Sequence, residues 1–193
     1  VRYRVRNSTK DAGDLRLGGG YRIRRVESVG PSWDRFFRRV APSYGFLVRR
    51  DAEYVDWRYL QCPDKQCPDD QDLDQRFVLL AAYRWRRLVG WSVFSRRQDR
   101  LVWGDALFDP RHARAAQAVL ASALVQPELE GAEQIAGWFP EQPVWWHEEL
   151  LRLGFVDRPE PEGLGMVALP DTEPEAFADL ARLYYTMGDG DLF

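Results

Sequence analysis

Three apolar runs follow one another in the middle of the chain, separated only by short polar stretches. They cover residues 76–85, 88–94 and 101–108. Each run has the length and the content of branched and aromatic residues that are typical of a β-strand. Because the intervals between the runs are too short for a helix, the pattern predicts an antiparallel meander of three strands.

Apolar residues recur at helical spacing on both sides of this meander. Ser32 is predicted to cap the first helix, and Gly154 is predicted to end the helix before it. The predicted helices cover residues 33–40, 51–60, 111–124, 143–153 and 173–183, and the further strands cover residues 21–27, 134–139, 165–169 and 184–187. The predicted fold class is therefore α/β of the α+β type, with a mixed, mostly antiparallel central sheet flanked by helices.

Length and composition predict one globular domain with a polar N-terminal extension. The chain has 193 residues, of which 45% are hydrophobic, and this is enough for a full core. The first 20 residues end in three glycines and are predicted to form a basic arm or linker, so that residues 21–193 form the domain. No apolar run approaches the length of about 18 residues that a membrane span needs, and no signal-peptide pattern occurs, which favours a cytoplasmic protein.

Charge is distributed unequally along the chain, although the net charge is only −3. Residues 1–50 contain 13 Arg or Lys and 4 acidic residues, a charge of +9, so the remaining chain carries −12. Docking of the basic part onto the acidic remainder, or its linkage to an upstream domain, accounts for this distribution. Nucleic acid is not favoured as a partner, because the charge is not accompanied by a recognised nucleic-acid-binding motif.

The sequence does not predict a metal site. Its two cysteines, Cys62 and Cys67, are each followed by Pro-Asp, and its two histidines are His112 and His147. A structural zinc site needs about four ligands, which this small set does not readily supply. The stretch around the cysteines is rich in proline and aspartate and is predicted to be an exposed loop.

Two short motifs are similar to sequences of the GNAT superfamily of N-acetyltransferases. Residues 87–93, Arg-Leu-Val-Gly-Trp-Ser-Val, resemble a strand of the superfamily, and residues 149–155, Glu-Leu-Leu-Arg-Leu-Gly-Phe, resemble the end of its last helix. The order of the predicted elements also resembles the superfamily, and residues 57–59 and 185–191 resemble a bacterial branch of it. The resemblance implies that two middle strands of the sheet splay apart.

The resemblance further implies that the chain binds acetyl-CoA or another acyl-CoA at the splayed strands. The last meander strand would pair with the pantetheine arm, and the N-terminus of the next helix would receive the pyrophosphate. Arg114 stands where the superfamily has glycine, although its guanidinium could bind phosphate instead. The alternative is a surface helix that binds nothing. The implied cofactor-binding residues are Leu107, Phe108, Arg111, Arg114, Ala115 and Ala116.

Catalysis in this superfamily uses a carboxylate that takes a proton from the amine and a tyrosine on the last helix that protonates the departing thiolate. Leu150 occupies that tyrosine position, so Tyr185 and its neighbour Tyr184 are the substitutes that the sequence offers. Asp105 is the candidate base, and its alternative role is that of a structural residue beside a turn. The candidate substrate-binding residues are Trp57, Arg58, Trp138 and Asp189.

The sequence therefore predicts an acyl-CoA-dependent N-acyltransferase that acts on a small-molecule or protein amine. The alternative is a catalytically silent domain of the same fold that binds an upstream domain or forms a homodimer. Arg114 and Leu150 favour this alternative, because both depart from the pattern of the superfamily.

Overall fold

The computed structural model describes residues 2–4, 20–61, 77–156 and 183–190, with residues 2–4 described by their backbone. The strands are β1 (Arg2–Arg4), β2 (Tyr21–Arg25), β3 (Phe46–Leu47), β4 (Val78–Arg84), β5 (Arg87–Arg97), β6 (Arg100–Phe108), β7 (Gln134–Ala136) and β8 (Leu183–Tyr184). The helices are α1 (Pro31–Val40), α2 (Ala52–Val55, continued by a π-helix over Asp56–Gln61), α3 (Ala115–Ala123) and α4 (Val144–Arg152). The strand predicted at residues 165–169 and the helix predicted at residues 173–183 lie outside the described residues, except for Leu183, which begins β8.

Six strands form one mixed sheet in the order β1-β7-β6-β5-β4-β2. Neighbouring strands from β2 to β6 are antiparallel, β7 runs parallel to β6, and β1 runs antiparallel to β7. The predicted meander and the mixed, mostly antiparallel α+β fold are therefore confirmed. The short strands β3 and β8 form a separate parallel pair.

The parallel strands β6 and β7 part shortly after they begin. Their register runs from Arg100 opposite Gln134 to Val102 opposite Ala136, whereas β6 continues to Phe108. A β-bulge at Gly104 bends β6 just beyond this point. Among the described residues, the rest of β6 is paired with a strand on one side only, which agrees with the predicted splay.

Helix α4 and a group of aromatic side chains cover the open part of β6. The indole of Trp146, on α4, lies 5.8 Å from the ring of Trp103 and stacks at 5.3 Å on Phe108. On β5, the ring of Trp91 lies 5.9 Å from that of Trp33 in α1. Large aromatic side chains of this kind contribute much of the apolar area that a core buries, so they anchor both helices to the sheet.

Several predicted boundaries are wrong in detail, each for a local reason. Gly30 rather than Ser32 is the N-cap of α1, because Pro31 already occupies the first turn. The β4–β5 turn was predicted at residues 86–87, between two apolar runs, and is instead formed by Trp85 and Arg86. Helix α3 begins at Ala115, because residues 110–112 form a separate 3₁₀ turn. Two predicted strands differ in length, since β5 continues to Arg97 and β7 already ends at Ala136.

Candidate functional site

A buried network of charged and hydroxyl side chains lies beside β6, beyond its bulge. Its centre is Arg50, which precedes the N-cap residue of α2 and has no exposed side-chain surface. Arg50 Nε donates to Asp105 at 3.1 Å, and Nη2 donates to Thr186 at 3.2 Å and to Asp189. One guanidinium thus joins three segments that are far apart in the sequence.

Two carboxylates share this one guanidinium. Burial by itself would lower the pKa of Arg50, but Asp105 and Asp189 raise it well above its ordinary value. Burial and the charge of Asp105 raise the pKa of Asp189, and Arg50 offsets only part of this effect. Asp189 Oδ1 is buried without a hydrogen-bond partner in the described part of the chain. Within these three side chains, one negative charge is not balanced.

Asp105 is fully buried on β6, and both of its carboxylate oxygens are occupied. Oδ1 accepts from Arg50, from Thr186 Oγ1 at 3.0 Å and from the N–H of Ala106 at 2.8 Å. Oδ2 accepts from the hydroxyl of Tyr59 at 2.7 Å. In this conformation Asp105 holds other groups in place, and its predicted role as a base requires that some of these partners move away.

The C-terminal segment, residues 183–190, closes the network from the open side of β6. The carbonyl oxygen of Gly188 accepts from Tyr54 at 3.1 Å, and that of Gly190 accepts from Arg58 at 2.6 Å. A Cβ on Gly188 would lie only 2.2 Å from the hydroxyl of Tyr59, so the backbone approach depends on glycine at this position. The segment is therefore held by its backbone as well as by its side chains.

The π-helical part of α2 brings Tyr54 and Tyr59 onto one face. Their rings lie 6.0 Å apart at an angle of 82°. In an α-helix, residues five apart would point in directions that differ by about 140°. Burial and the charge of Asp105 raise the pKa of both tyrosines, so they remain neutral hydrogen-bond donors at ordinary pH. The widened helix thus lets one element bind both the strand and the C-terminal segment.

Two tyrosine hydroxyls occupy the open edge of β6. Tyr44 donates to the carbonyl oxygen of Phe108 at 2.9 Å and accepts from its N–H at 2.7 Å. Tyr184 donates to the carbonyl oxygen of Ala106 at 2.8 Å. The intervening Leu107 points its backbone groups to the β5 side, as strand alternation requires. The predicted pantetheine-binding groups of Phe108 are therefore occupied by Tyr44 in this conformation.

The start of α3 combines exposed arginines with buried alanines. Arg111 is exposed, with Nε 3.6 Å from Asp109 Oδ1, and Arg114 is exposed at the N-cap. Arg114 has φ −60° and ψ −11°, so its own conformation does not require glycine. Ala115 and Ala116 are buried against the sheet. Both exposed arginines can contact an anion in solution, whereas the buried alanines hold the helix against the sheet.

The other predicted site residues are only partly brought together. Asp189 belongs to the C-terminal segment, and Arg58, on the π-helical part of α2, donates to the same segment. The Arg58 guanidinium lies 6.0 Å from the ring of Trp57. Trp57 itself is 54% exposed. Trp138 is half-buried beyond the end of β7 and takes no part in the described network. Tyr185 is half-buried, and it is its neighbour Tyr184 whose hydroxyl reaches β6.

Sequence reasoning missed the residues at the centre of the network. Arg50 directly follows Arg49, which has the same side chain but is largely exposed. No local pattern separates the two, because what distinguishes Arg50 is contact with β6 and the C-terminal segment. The only signal in the sequence for Tyr44 and Tyr59 was that each is an aromatic residue near the end of a predicted helix. Neither belongs to an obvious apolar face of that helix. The full set of missed residues is Tyr44, Arg50, Tyr59 and Thr186.

Within the described residues, no group of three or more His, Cys, Asp or Glu side chains is placed to hold a metal ion. In the same part of the chain, no helix has the length and apolar character needed to cross a membrane. Comparison with models of known protein families gave no match, and a comparison with curated proteins gave none either.

Proposed function

We propose that this chain is an acyl-CoA-dependent N-acyltransferase, with acetyl-CoA as the first co-substrate to test. The observation that carries the proposal is the parting of β6 from β7. It leaves both backbone groups of Phe108 and the carbonyl of Ala106 bonded to tyrosine hydroxyls, and the N–H of Ala106 bonded to the Asp105 carboxylate, instead of to a strand. A pantetheine arm carries two amides, and these could replace the hydroxyls without leaving buried backbone groups unpaired.

The start of α3 supplies the second part of the proposed acyl-CoA site. Arg111 and Arg114 are exposed where the chain leaves β6 for this helix. Guanidinium groups form strong charge-assisted hydrogen bonds with phosphate oxygens, so they can replace the usual backbone contacts to a pyrophosphate. In this proposal the thioester lies at the open edge of β6, and the phosphates lie beside the two arginines.

The unbalanced carboxylate favours an amine as the acceptor. Asp189 Oδ1 is buried without a hydrogen-bond partner among the described residues, beside a guanidinium that already binds two carboxylates. An ammonium group would supply both the missing hydrogen bond and the missing positive charge. The proposed acceptor is therefore a small-molecule or protein amine that approaches from the side of the C-terminal segment.

The proposed reaction transfers an acyl group from sulfur to nitrogen. The bound ammonium first loses a proton, and the neutral amine attacks the thioester carbon. The carbon–sulfur bond then breaks, the nitrogen loses a second proton as the amide forms, and the thiolate takes a proton to become free CoA. Burial raises the pKa of Tyr184, so its hydroxyl carries a proton that it could give to the thiolate. Asp105 could accept the amine proton only after Tyr59 or Thr186 moves away from it.

A second candidate is a catalytically silent domain that binds another domain or a second copy of itself. The specific observation in its favour is the closed state of Asp105, whose two oxygens accept four different groups. A buried network of this kind is also what a purely structural role requires. In this case the open edge of β6 would stay filled by Tyr44 and Tyr184.

Calorimetric titration with acetyl-CoA, and with adenosine diphosphate as a control, separates the two candidates. Saturable binding that needs the pantetheine arm, and that weakens in Arg111→Ala and Arg114→Ala, would support the acyltransferase. Arg100→Ala is the matched control, because Arg100 is exposed at the opposite end of β6. No binding of millimolar acetyl-CoA by a folded sample would exclude the proposal and leave the silent domain.

A further inference from the structure

Trp85 is the most exposed large hydrophobic residue that the structure describes. It forms the β4–β5 turn together with Arg86, and 89% of its surface is accessible. Its φ angle is 59°, in the left-handed region that residues other than glycine and asparagine rarely adopt. An exposed indole in this conformation buries little apolar area to offset the strain, so folding does not explain it.

The other turn of the meander shows that tryptophan is not required by the geometry. Gln98 lies in the β5–β6 turn, at the opposite end of the sheet, and has a similar φ of 54°. There the left-handed position carries a polar residue, followed by Asp99. At the β4–β5 turn it carries a large indole with arginine on both sides. The two turns thus share a backbone conformation and differ in surface chemistry.

Arginine surrounds Trp85 on the chain and in space. Arg84, Arg86 and Arg87 are all exposed, and Arg84 and Arg87 are cross-strand partners. Arg111, at the start of α3, adds to the same surface. The Arg84 guanidinium lies 6.0 Å from the Tyr21 ring, and the Tyr21 hydroxyl lies 3.4 Å from Nδ1 of His112, which directly follows Arg111. We call Trp85 and these four arginines the basic tip.

Few acidic groups balance this charge. The carboxylate of Asp109 is buried, and it pairs with Arg39 at 3.3 Å and Arg111 at 3.6 Å. Within the described residues, Arg84, Arg86 and Arg87 form no salt bridge. Like charges held together on a surface repel one another, so an arrangement with this excess of arginine fits an anionic partner.

We propose that the basic tip is a docking surface for an anionic lipid bilayer, with the Trp85 indole in the interface and the arginines on lipid phosphates. Tryptophan is favoured at the boundary between headgroups and acyl chains, because its ring is apolar and its N–H is polar. Each arginine close to an anionic leaflet contributes about 1 kcal/mol to binding, roughly a fivefold change in affinity.

Shape and composition favour a bilayer over other anionic partners. Residues 84–87 form the end of the β4–β5 hairpin and are all exposed, so this surface protrudes, whereas small-molecule sites are concave. Single-stranded nucleic acid is bound by successive aromatic rings along a groove. The basic tip contains a single exposed aromatic ring, which suits insertion into an interface better than the stacking of several bases.

Vesicle sedimentation tests this proposal. We expect the protein to bind phosphatidylcholine vesicles that contain phosphatidylglycerol, to bind pure phosphatidylcholine weakly, and to be released by salt. Trp85→Asn should lower the binding at least about tenfold, because the indole no longer leaves water. Arg86→Gln should lower it about fivefold. Asparagine tolerates positive φ, so Trp85→Asn should fold as well as the wild type.

Two controls make the result specific to the basic tip. Trp57→Ala removes the other strongly exposed tryptophan, and Arg100→Gln removes an exposed arginine at the opposite end of the sheet. Both variants should bind the vesicles as the wild type does. The chain has 8 tryptophans, so quenching by brominated lipid is read as the difference between the wild type and Trp85→Asn. Absent vesicle binding, binding unchanged by Trp85→Asn, or a preference for single-stranded oligonucleotides over vesicles would each overturn the proposal. None of these variants alters the acyl-CoA contacts proposed above.

Discussion

The guanidinium of Arg50 has no exposed surface, although arginine is almost never fully buried unless it is paired. Its partners come from β6 and from the C-terminal segment, so it links elements that the chain separates widely. Removing charges from water is costly, and the mutual attraction of a buried pair offsets that cost only when its hydrogen bonds are complete. At the scale of single residues, the structure therefore depends most on the completeness of the Arg50 network.

Replacement of Arg50 by methionine tests this dependence. Arg50→Met leaves Asp105 and Asp189 buried without their cation, and we expect the free energy of unfolding to fall by about 3–5 kcal/mol. The double variant Arg50→Met/Asp105→Asn should recover part of this loss. Arg49→Met is the matched control, since Arg49 is exposed, and its ion pair with Asp51 should contribute no more than about 1 kcal/mol. Similar losses in the two single variants, measured by urea denaturation, would show that Arg50 is not special.

His112 predicts a pH dependence of stability. Burial lowers its pKa from 6.5, and Arg84, Arg87 and Arg111 lower it further, while Asp109 opposes them. The unfolded chain therefore takes up a proton at higher pH than the folded protein does. The contribution of neutral His112 to stability is complete above the unfolded pKa of 6.5, and it is lost as the pH falls from there through the lower pKa of the folded protein. Relative to His112→Gln, the wild type should lose stability below this pH, and an unchanged difference between the two across the range would contradict the assignment.

At the scale of elements, the π-helical end of α2 and the C-terminal segment depend on each other. The π-helix places Tyr54 and Tyr59 on one face, and Tyr54 then binds the Gly188 carbonyl. A regular α-helix would turn one of these tyrosines away. Trp57, a candidate substrate-binding residue on the same element, is instead largely exposed to solvent.

Gly188→Ala tests the fit between these two elements. The new Cβ would lie 2.2 Å from the Tyr59 hydroxyl and 3.0 Å from Asp105 Cβ, so the C-terminal segment must shift. We expect a loss of about 1–3 kcal/mol in stability, as is typical of overpacking, and faster hydrogen exchange in residues 183–190. The double variant Gly188→Ala/Tyr59→Phe removes the nearest atom, and it should restore part of the protection. Unchanged exchange in Gly188→Ala would show that the segment is not packed in this way.

At the scale of the whole molecule, the sheet must avoid pairing with other copies along its open edges. Strand β2 is the last strand on its side, and its outer edge is not paired within the described part of the chain. Arg22 and Arg24 are exposed on this strand. Charged side chains on an edge strand hinder the approach of a second sheet, which gives the alternating arginines a purely structural use.

The double variant Arg22→Val/Arg24→Val should therefore associate more readily than the wild type. We expect larger species in sedimentation velocity at raised protein concentration, with little change in the stability of the monomer. Arg35→Val/Arg38→Val is the control, because these arginines are exposed on α1 rather than on a strand edge. Equal association of the two double variants would mean that surface apolarity, and not the strand edge, is responsible.

Local sequence patterns were sufficient to predict an element whose conformation is determined by its own residues. Three apolar runs with short polar stretches between them predicted the meander, and Asp51 was a recognisable start for α2, where its side chain accepts from the N–H of Tyr54. The same patterns failed where two elements compete. Tyr184 and Tyr185 are adjacent and chemically identical, and contact with β6 alone decides which hydroxyl enters the site.

The sequence by itself determined the α+β class and the order of the described strands and helices, except the short strands β1 and β3, because hydrophobic periodicity and turn chemistry act over a few residues. The candidates Asp105 and Asp189 came from the resemblance to the GNAT superfamily. Only the tertiary structure decided that these acids share the buried guanidinium of Arg50 and that Tyr44 and Tyr184 fill the edge of β6. Such contacts join segments more than 50 residues apart, and their energy comes from burial, which no local pattern encodes.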